Sequence, residues 1–235
     1  MDASELRAAF PVFESAAYLN SGSCGPLPLA AVEAARASLS AQLADGRVYD
    51  HFMRRVDTNA RLREVYAGRL GADVSEIALT TSTSEGLGKV LTGLGLGAGD
   101  EVLTSDTEHP GLLGPLLAMQ ERGVTIRSGP LATLADHVTE KTSVVACSHV
   151  GWVSGVLADP RLGSTGVPLL LDGAQGVGAI GVDVKALGCL AYAGAGQKWL
   201  CGADGTGMLY VDPDADVYAV APPYGAFVDS SAGLA

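Results

Sequence analysis

Lysine is scarce in this chain of 235 residues. Only four of its 15 basic residues are lysines: Lys89, Lys141, Lys185 and Lys198. Against them stand 26 acidic residues, for a formal net charge of −11. Domains that hold duplex nucleic acid through its phosphates are usually basic, so no nucleic acid is expected as a partner. Cysteine is sparse too. Cys24, Cys147, Cys189 and Cys201 are widely spaced and make no C-x-x-C pair. Reduced, mostly buried thiols are expected, rather than disulfides or a metal site. No apolar run approaches the ~20 residues of a membrane helix. The opening stretch Met1-Asp2-Ala3-Ser4-Glu5 is acidic and lacks the apolar segment of a secretory signal. A cytoplasmic protein without membrane attachment is the expectation.

What is present is apolar. Hydrophobic residues make up 48% and charged residues 17%, which excludes a disordered chain and a coiled coil. A short helix is predicted near residues 4–10, within an irregular arm over residues 1–27 that includes Asn20-Ser21-Gly22. Helical periodicity follows over 28–43, with Ala31, Val32, Ala35, Leu39 and Leu43 on one stripe. A second, Arg-rich helix is predicted over 48–70, ended by Gly71.

Beyond it, seven short apolar runs recur at 77–81, 101–105, 124–128, 143–148, 167–172, 189–194 and 206–211. Helix-like stretches at 85–94, 111–122, 131–138 and 182–187 separate most of them. Continuous apolar strands alternating with helices predict a three-layer αβα arrangement around a mainly parallel seven-stranded sheet. A Gly-rich loop with no helix separates the last two runs, so the final strand is predicted antiparallel to its neighbour. The glycines over 93–99 superficially suggest a dinucleotide loop, but they lead from a helix into a strand, the wrong order for that fingerprint. They read as a turn.

Ligands of such sheets lie outside the carboxyl ends of the strands. Hydroxyls, an imidazole, a carboxylate and an amine follow these ends. Lys198 is the only charged residue from Ala186 to Ala203. A lysine desolvated in neutral surroundings loses its proton more readily, and the neutral amine can form a Schiff base with an aldehyde. A lysine snorkelling at a loop tip is the alternative. Asp172 ends an apolar run and wants a cationic partner, such as a protonated pyridine nitrogen; alternatively it caps the following loop. Thr83 and Ser84 open a helix directly after a strand, where free N–H groups and the helix dipole favour a phosphate, or where a plain helix cap sits. His109 precedes Pro110-Gly111 and either stacks on a ring and moves protons or is a surface histidine.

The order of these motifs resembles the class V aminotransferases, the family of cysteine desulfurases and isopenicillin N epimerase-like proteins. The most specific stretch is Leu171-Asp172-Gly173-Ala174-Gln175-Gly176, then Tyr192-Ala193-Gly194-Ala195-Gly196-Gln197-Lys198-Trp199-Leu200 and Gly205-Thr206-Gly207. The resemblance spans about 18–211. It implies the fold type I scaffold, pyridoxal 5'-phosphate as cofactor, an amino acid substrate and a homodimer. It implies Lys198 as the Schiff-base lysine, Asp172 on the pyridinium nitrogen and His109 stacked on the ring. Thr83 and Ser84 would bind the phosphate, Gln175 the ring oxygen, and Gln197 would still offer the phosphate a hydrogen bond.

Three positions depart from the desulfurase pattern: Gln197 replaces a frequent His, Ala195 a frequent Ser, and Trp152 a frequent Asn. The last favours the epimerase-like branch. Family members usually continue well beyond the position of Val211, through a smaller domain that supplies an arginine for the substrate carboxylate. The expectation is therefore a cofactor-binding large domain over 28–215, with 216–235 beginning a C-terminal segment whose small domain is mostly absent.

Overall fold

The computed structural model describes residues 2–222. The end of the expected C-terminal segment, 223–235, lies outside the described residues. Helix α1 (Ala3–Ala9) is followed by a one-turn 3₁₀ segment and an extended arm. Helices α2 (Leu29–Asp45) and α3 (Tyr49–Leu70) come next. α3 stops where predicted: Gly71 adopts φ 67°, and its N–H reaches back to the Ala67 carbonyl.

Seven strands follow: β1 (Ile77–Thr80), β2 (Glu101–Ser105), β3 (Thr125–Gly129), β4 (Thr142–Ser148), β5 (Leu169–Asp172), β6 (Ala191–Ala195) and β7 (Gly207–Val211). Between them lie α4 (Thr83–Gly93), α5 (Pro110–Gln120) and the single turn α6 (Val184–Leu187). All seven strands form one sheet in the order β1-β7-β6-β5-β4-β2-β3. Only β7 runs against its neighbours, β6 and β1. The short connection after β6 holds no crossover helix, so the chain must turn back on itself there.

Two core clusters flank the sheet and make it the middle of three layers. On one face Tyr66, Ala67 and Leu70 of α3 pack with Leu131, Leu134, Leu162 and Val184. On the other, Leu87, Val90 and Leu91 of α4 meet Leu112, Leu116 and Met119 of α5. The strands alternate between them: Leu169 and Leu171 face the first cluster and Leu170 the second.

Two expectations need correction. The stretch predicted as helix over 131–138 is a 3₁₀ segment, Leu131–His137, kinked at Thr133 with φ −130°. Its buried pair, Leu131 and Leu134, is spaced i, i+3, which a 3₁₀ turn serves as well as an α-helix does. The predicted 182–187 helix shrinks to four residues, because Asp183 caps it and Gly188 ends it at φ 60°. The stripe on α2 also finds no cover among the described residues: no residue of that helix is buried. Cys147 and Cys189 are buried, Cys201 is half-buried and Cys24 is exposed; all four are free thiols. No helix among the described residues is long and apolar enough to cross a membrane.

The winding reverses between β2 and β4. From β2 the chain moves outward to β3, and from β4 it moves the other way, through β5 to β6. Such a reversal opens a crevice at the carboxyl ends of the two strands.

Candidate active site

The elements that border this crevice are short loops off rigid strands. α4 starts three residues after β1 ends. Its N-cap is Ser82, whose Oγ accepts from the Glu85 N–H at 3.2 Å. Thr83 and Ser84 are thus the first two helical residues. Glu85 turns away: it accepts from the Thr81 N–H and Oγ1, both at 2.6 Å, and pairs with Lys89 at 2.7 Å. The helix start is left with the partial positive charge of its free N–H groups. Thr83 Oγ1 is buried there without a hydrogen-bond partner.

His109 caps α5. Its Nδ1 accepts from the Gly111 N–H at 2.9 Å, which puts the proton of the neutral ring on Nε2. The ring meets Trp152 edge-on, with centroids 5.2 Å apart and planes at 88°. Trp152 is held in turn by its indole N–H, which donates to the Thr107 carbonyl at 3.1 Å. Burial holds the His109 imidazole below its usual range; the Lys198 charge acts in the same direction and Glu108 opposes it.

Asp172 ends β5 and is only 5% exposed. One backbone N–H, from Ala174, reaches its Oδ1 at 2.9 Å. No cation pairs with it among the described residues. Its carboxyl is pushed up to about 6: burial is the largest cause and Glu108 adds to it, while the Ala174 N–H and Lys198 offset part of the rise. Gly173 and Gly176 lie against Tyr192: a Cβ on Gly173 would come within 2.0 Å of the Tyr192 ring. The Tyr192 hydroxyl is hydrogen-bonded to His149 Nδ1 at 3.1 Å, and burial lowers the His149 imidazole below its usual range.

Lys198 is half-buried in the turn between β6 and β7. It makes no ion pair among the described residues. The arm crosses next to it. The Gly25 N–H donates to the Gln197 carbonyl at 2.7 Å, and a Cβ on Gly25 would lie 2.1 Å from the Lys198 carbonyl. Gln175 fastens the same arm: its Nε2 donates to the Gly22 carbonyl at 2.9 Å, and its Oε1 accepts from the Trp199 indole at 2.7 Å. Gln197 Oε1 is buried without a partner.

The residues singled out in the sequence therefore collect at one edge. The charge of Lys198 acts on both His109 and Asp172, although the three come from different loops. Asn20-Ser21-Gly22 reaches that edge through Gly22. Sequence reasoning passed over Glu108, which stands beside His109 and is 5% exposed. It also passed over the Tyr192–His149 pair. The available signal for Glu108 was a carboxylate in the loop three residues past an apolar strand, next to His109.

Residues 17–230 match the aminotransferase class-V family. The chain belongs to that family. A probable cysteine desulfurase of Methanothermobacter thermautotrophicus is 32% identical over 229 residues, covering 91% of this chain and 57% of that protein. The isopenicillin N epimerase of Amycolatopsis lactamdurans is 34% identical over 221 residues, covering 83% of this chain and 54% of the epimerase. Among solved structures, the cystine C-S lyase C-DES in complex with its product cysteine persulfide superposes with a TM-score of 0.83. That match has 31% identity and covers 88% of this chain and 61% of the lyase. A C-DES variant has glycine covalently linked to its pyridoxal phosphate (PLP) cofactor. The chain thus spans a little over half the length of the curated relatives it matches.

The family is PLP-dependent, and the residues present fit the cofactor. An unpartnered hydroxyl and free N–H groups at the start of α4 suit a phosphate. A buried carboxylate with a single hydrogen bond suits a protonated ring nitrogen.

Proposed function

We propose that this chain binds PLP at the carboxyl edge of its sheet and acts with it on an amino acid. When bound, the cofactor supplies an electron sink that makes the bonds at the substrate's α-carbon labile. Thr83, Ser84 and the N–H groups of α4 hold its phosphate, and Gln197 adds a hydrogen bond. Asp172 holds the ring nitrogen in its cationic form. His109, braced by Trp152, covers one face of the ring. Gln175 is within the same loop cluster and offers its amide to the ring oxygen. Lys198 supplies the amine for the carbonyl and carries a proton to and from the α-carbon.

The observation that carries this reading is the convergence of Lys198, Asp172 and His109, together with the buried, unsatisfied Thr83 hydroxyl at the start of α4. Transamination, epimerisation and C–S cleavage share this machinery and differ in contacts that lie elsewhere. A homodimer belongs to the reading, and the unburied apolar residues of α2, with Leu39 63% and Leu43 89% exposed, favour it.

Adding PLP to the purified chain and recording its visible spectrum tests the proposal. A new absorption band that Lys198→Ala abolishes is expected. A band that survives in Lys198→Ala refutes the site assignment. L-amino acids should then change the band and yield product; a band that never responds means a chain that holds the cofactor without turnover.

A further inference from the structure

Glu108 is a buried carboxylate that the proposed mechanism does not use. It follows β2 in the crevice where the winding reverses, and its bonds join the two strands that border it. Its Oε1 accepts from Ser105 Oγ on β2 at 2.5 Å and from the Ser148 N–H on β4 at 2.9 Å. Its Oε2 accepts from Ser148 Oγ at 2.5 Å. Three donors thus meet one acceptor, and no cation pairs with it among the described residues. Ser148 is also the register partner of Asp172 across β4 and β5, and the next residue, His149, donates its N–H to the Asp172 carbonyl at 2.8 Å. On its other side Glu108 is followed at once by His109.

We propose that Glu108 is a positioning residue that sets the second negative charge behind Asp172, so that the site selects a ring carrying a cationic nitrogen over the same ring without one. The inference rests on the cofactor reading above. A carboxylate held by neutral donors keeps its full charge, and in a buried site that charge is weakly screened. Beside Asp172 it makes an uncompensated pair of like charges. Among the described residues Lys198 is the cation that acts on Asp172, and a protonated ring nitrogen would complete the balance. Glu108 does not touch the ring. It acts through Asp172 and through the loop that carries His109. A purely structural bolt between β2 and β4 would support binding of either ring equally.

The test compares binding of PLP with binding of its 1-deaza analogue, in which the ring nitrogen is replaced by carbon, by equilibrium titration of the purified chain. The unaltered chain should prefer PLP. Glu108→Gln keeps the shape and removes the charge, and it should narrow that preference roughly threefold or more. An unchanged preference in Glu108→Gln, with both compounds weakened alike, overturns the proposal and leaves the cofactor reading standing. A chain that binds neither compound overturns both. Should Glu108→Gln not fold, the double variant Ser105→Ala with Ser148→Ala decides. It strips two of the three donors that hold the Glu108 charge, so the preference should narrow as expected for Glu108→Gln; an unchanged preference refutes the charge assignment.

Discussion

The Trp199 indole donates to Gln175 Oε1 at 2.7 Å, and the same amide donates to the Gly22 carbonyl at 2.9 Å. One side chain thus ties the N-terminal arm to the residue next to Lys198. Gln175→Ala removes both bonds at once. At about 0.5–1.5 kcal/mol each, their loss should raise the local opening of the arm on the order of tenfold. Hydrogen exchange at the Gly25 N–H, which is bonded to the Gln197 carbonyl, reads this directly. Unchanged exchange there would mean that backbone bonds alone hold the arm.

Asp172 should make the cofactor-free chain less stable as the pH rises. Its carboxyl is raised from 3.8 to about 6 in the folded chain. Between those values the folded state binds the proton and the unfolded state does not. The Asp172 contribution to stability is therefore most favourable below about 4, falls through the window, and stays lower above about 6, by on the order of 2–3 kcal/mol. Asp172→Asn keeps the acceptor for the Ala174 N–H and removes the charge. It should stabilise the chain at pH 8 and lose that advantage at pH 4, as measured by urea unfolding. A pH-independent difference would assign the effect to packing.

Thr83→Val should move two measurements in opposite directions. The hydroxyl is buried without a partner, so its loss should leave the cofactor-free chain equally or slightly more stable, by up to about 1 kcal/mol. The same change deprives the phosphate of a donor and should weaken PLP binding by about tenfold. Loss of stability together with affinity would mark Thr83 as a structural residue instead.

Gly173→Ala should destabilise the chain by about 1–3 kcal/mol. The new Cβ would fall 2.0 Å from the Tyr192 ring, so the ring must move and its bond to His149 must stretch or break. The unfolding midpoint in urea measures the cost. Gly205→Ala, where φ is 73° and the space is open, is the comparison: it isolates backbone strain from collision.

Much of this was legible before any coordinates. Continuous apolar runs broken by glycine and polar residues place strands, because a strand buried on both faces has no polar side to show. The missing helix between the last two runs was enough to turn β7 around. A lone amine and a carboxylate at strand ends pointed to the edge where they meet.

Other features depend on residues far apart in the chain. Glu108 became significant only when β4, 40 residues on, was laid beside β2. Gln175 reaches a carbonyl 153 residues away. The 3₁₀ turn at Leu131–His137 and the uncovered stripe on α2 belong to the same class. Local pattern determined which residues are apolar and where the chain turns, since both follow from neighbours along the backbone. Strand order, and with it the partners of each buried polar group, was decided by packing, since a hydrogen bond or a cover for an apolar face can come from any part of the chain.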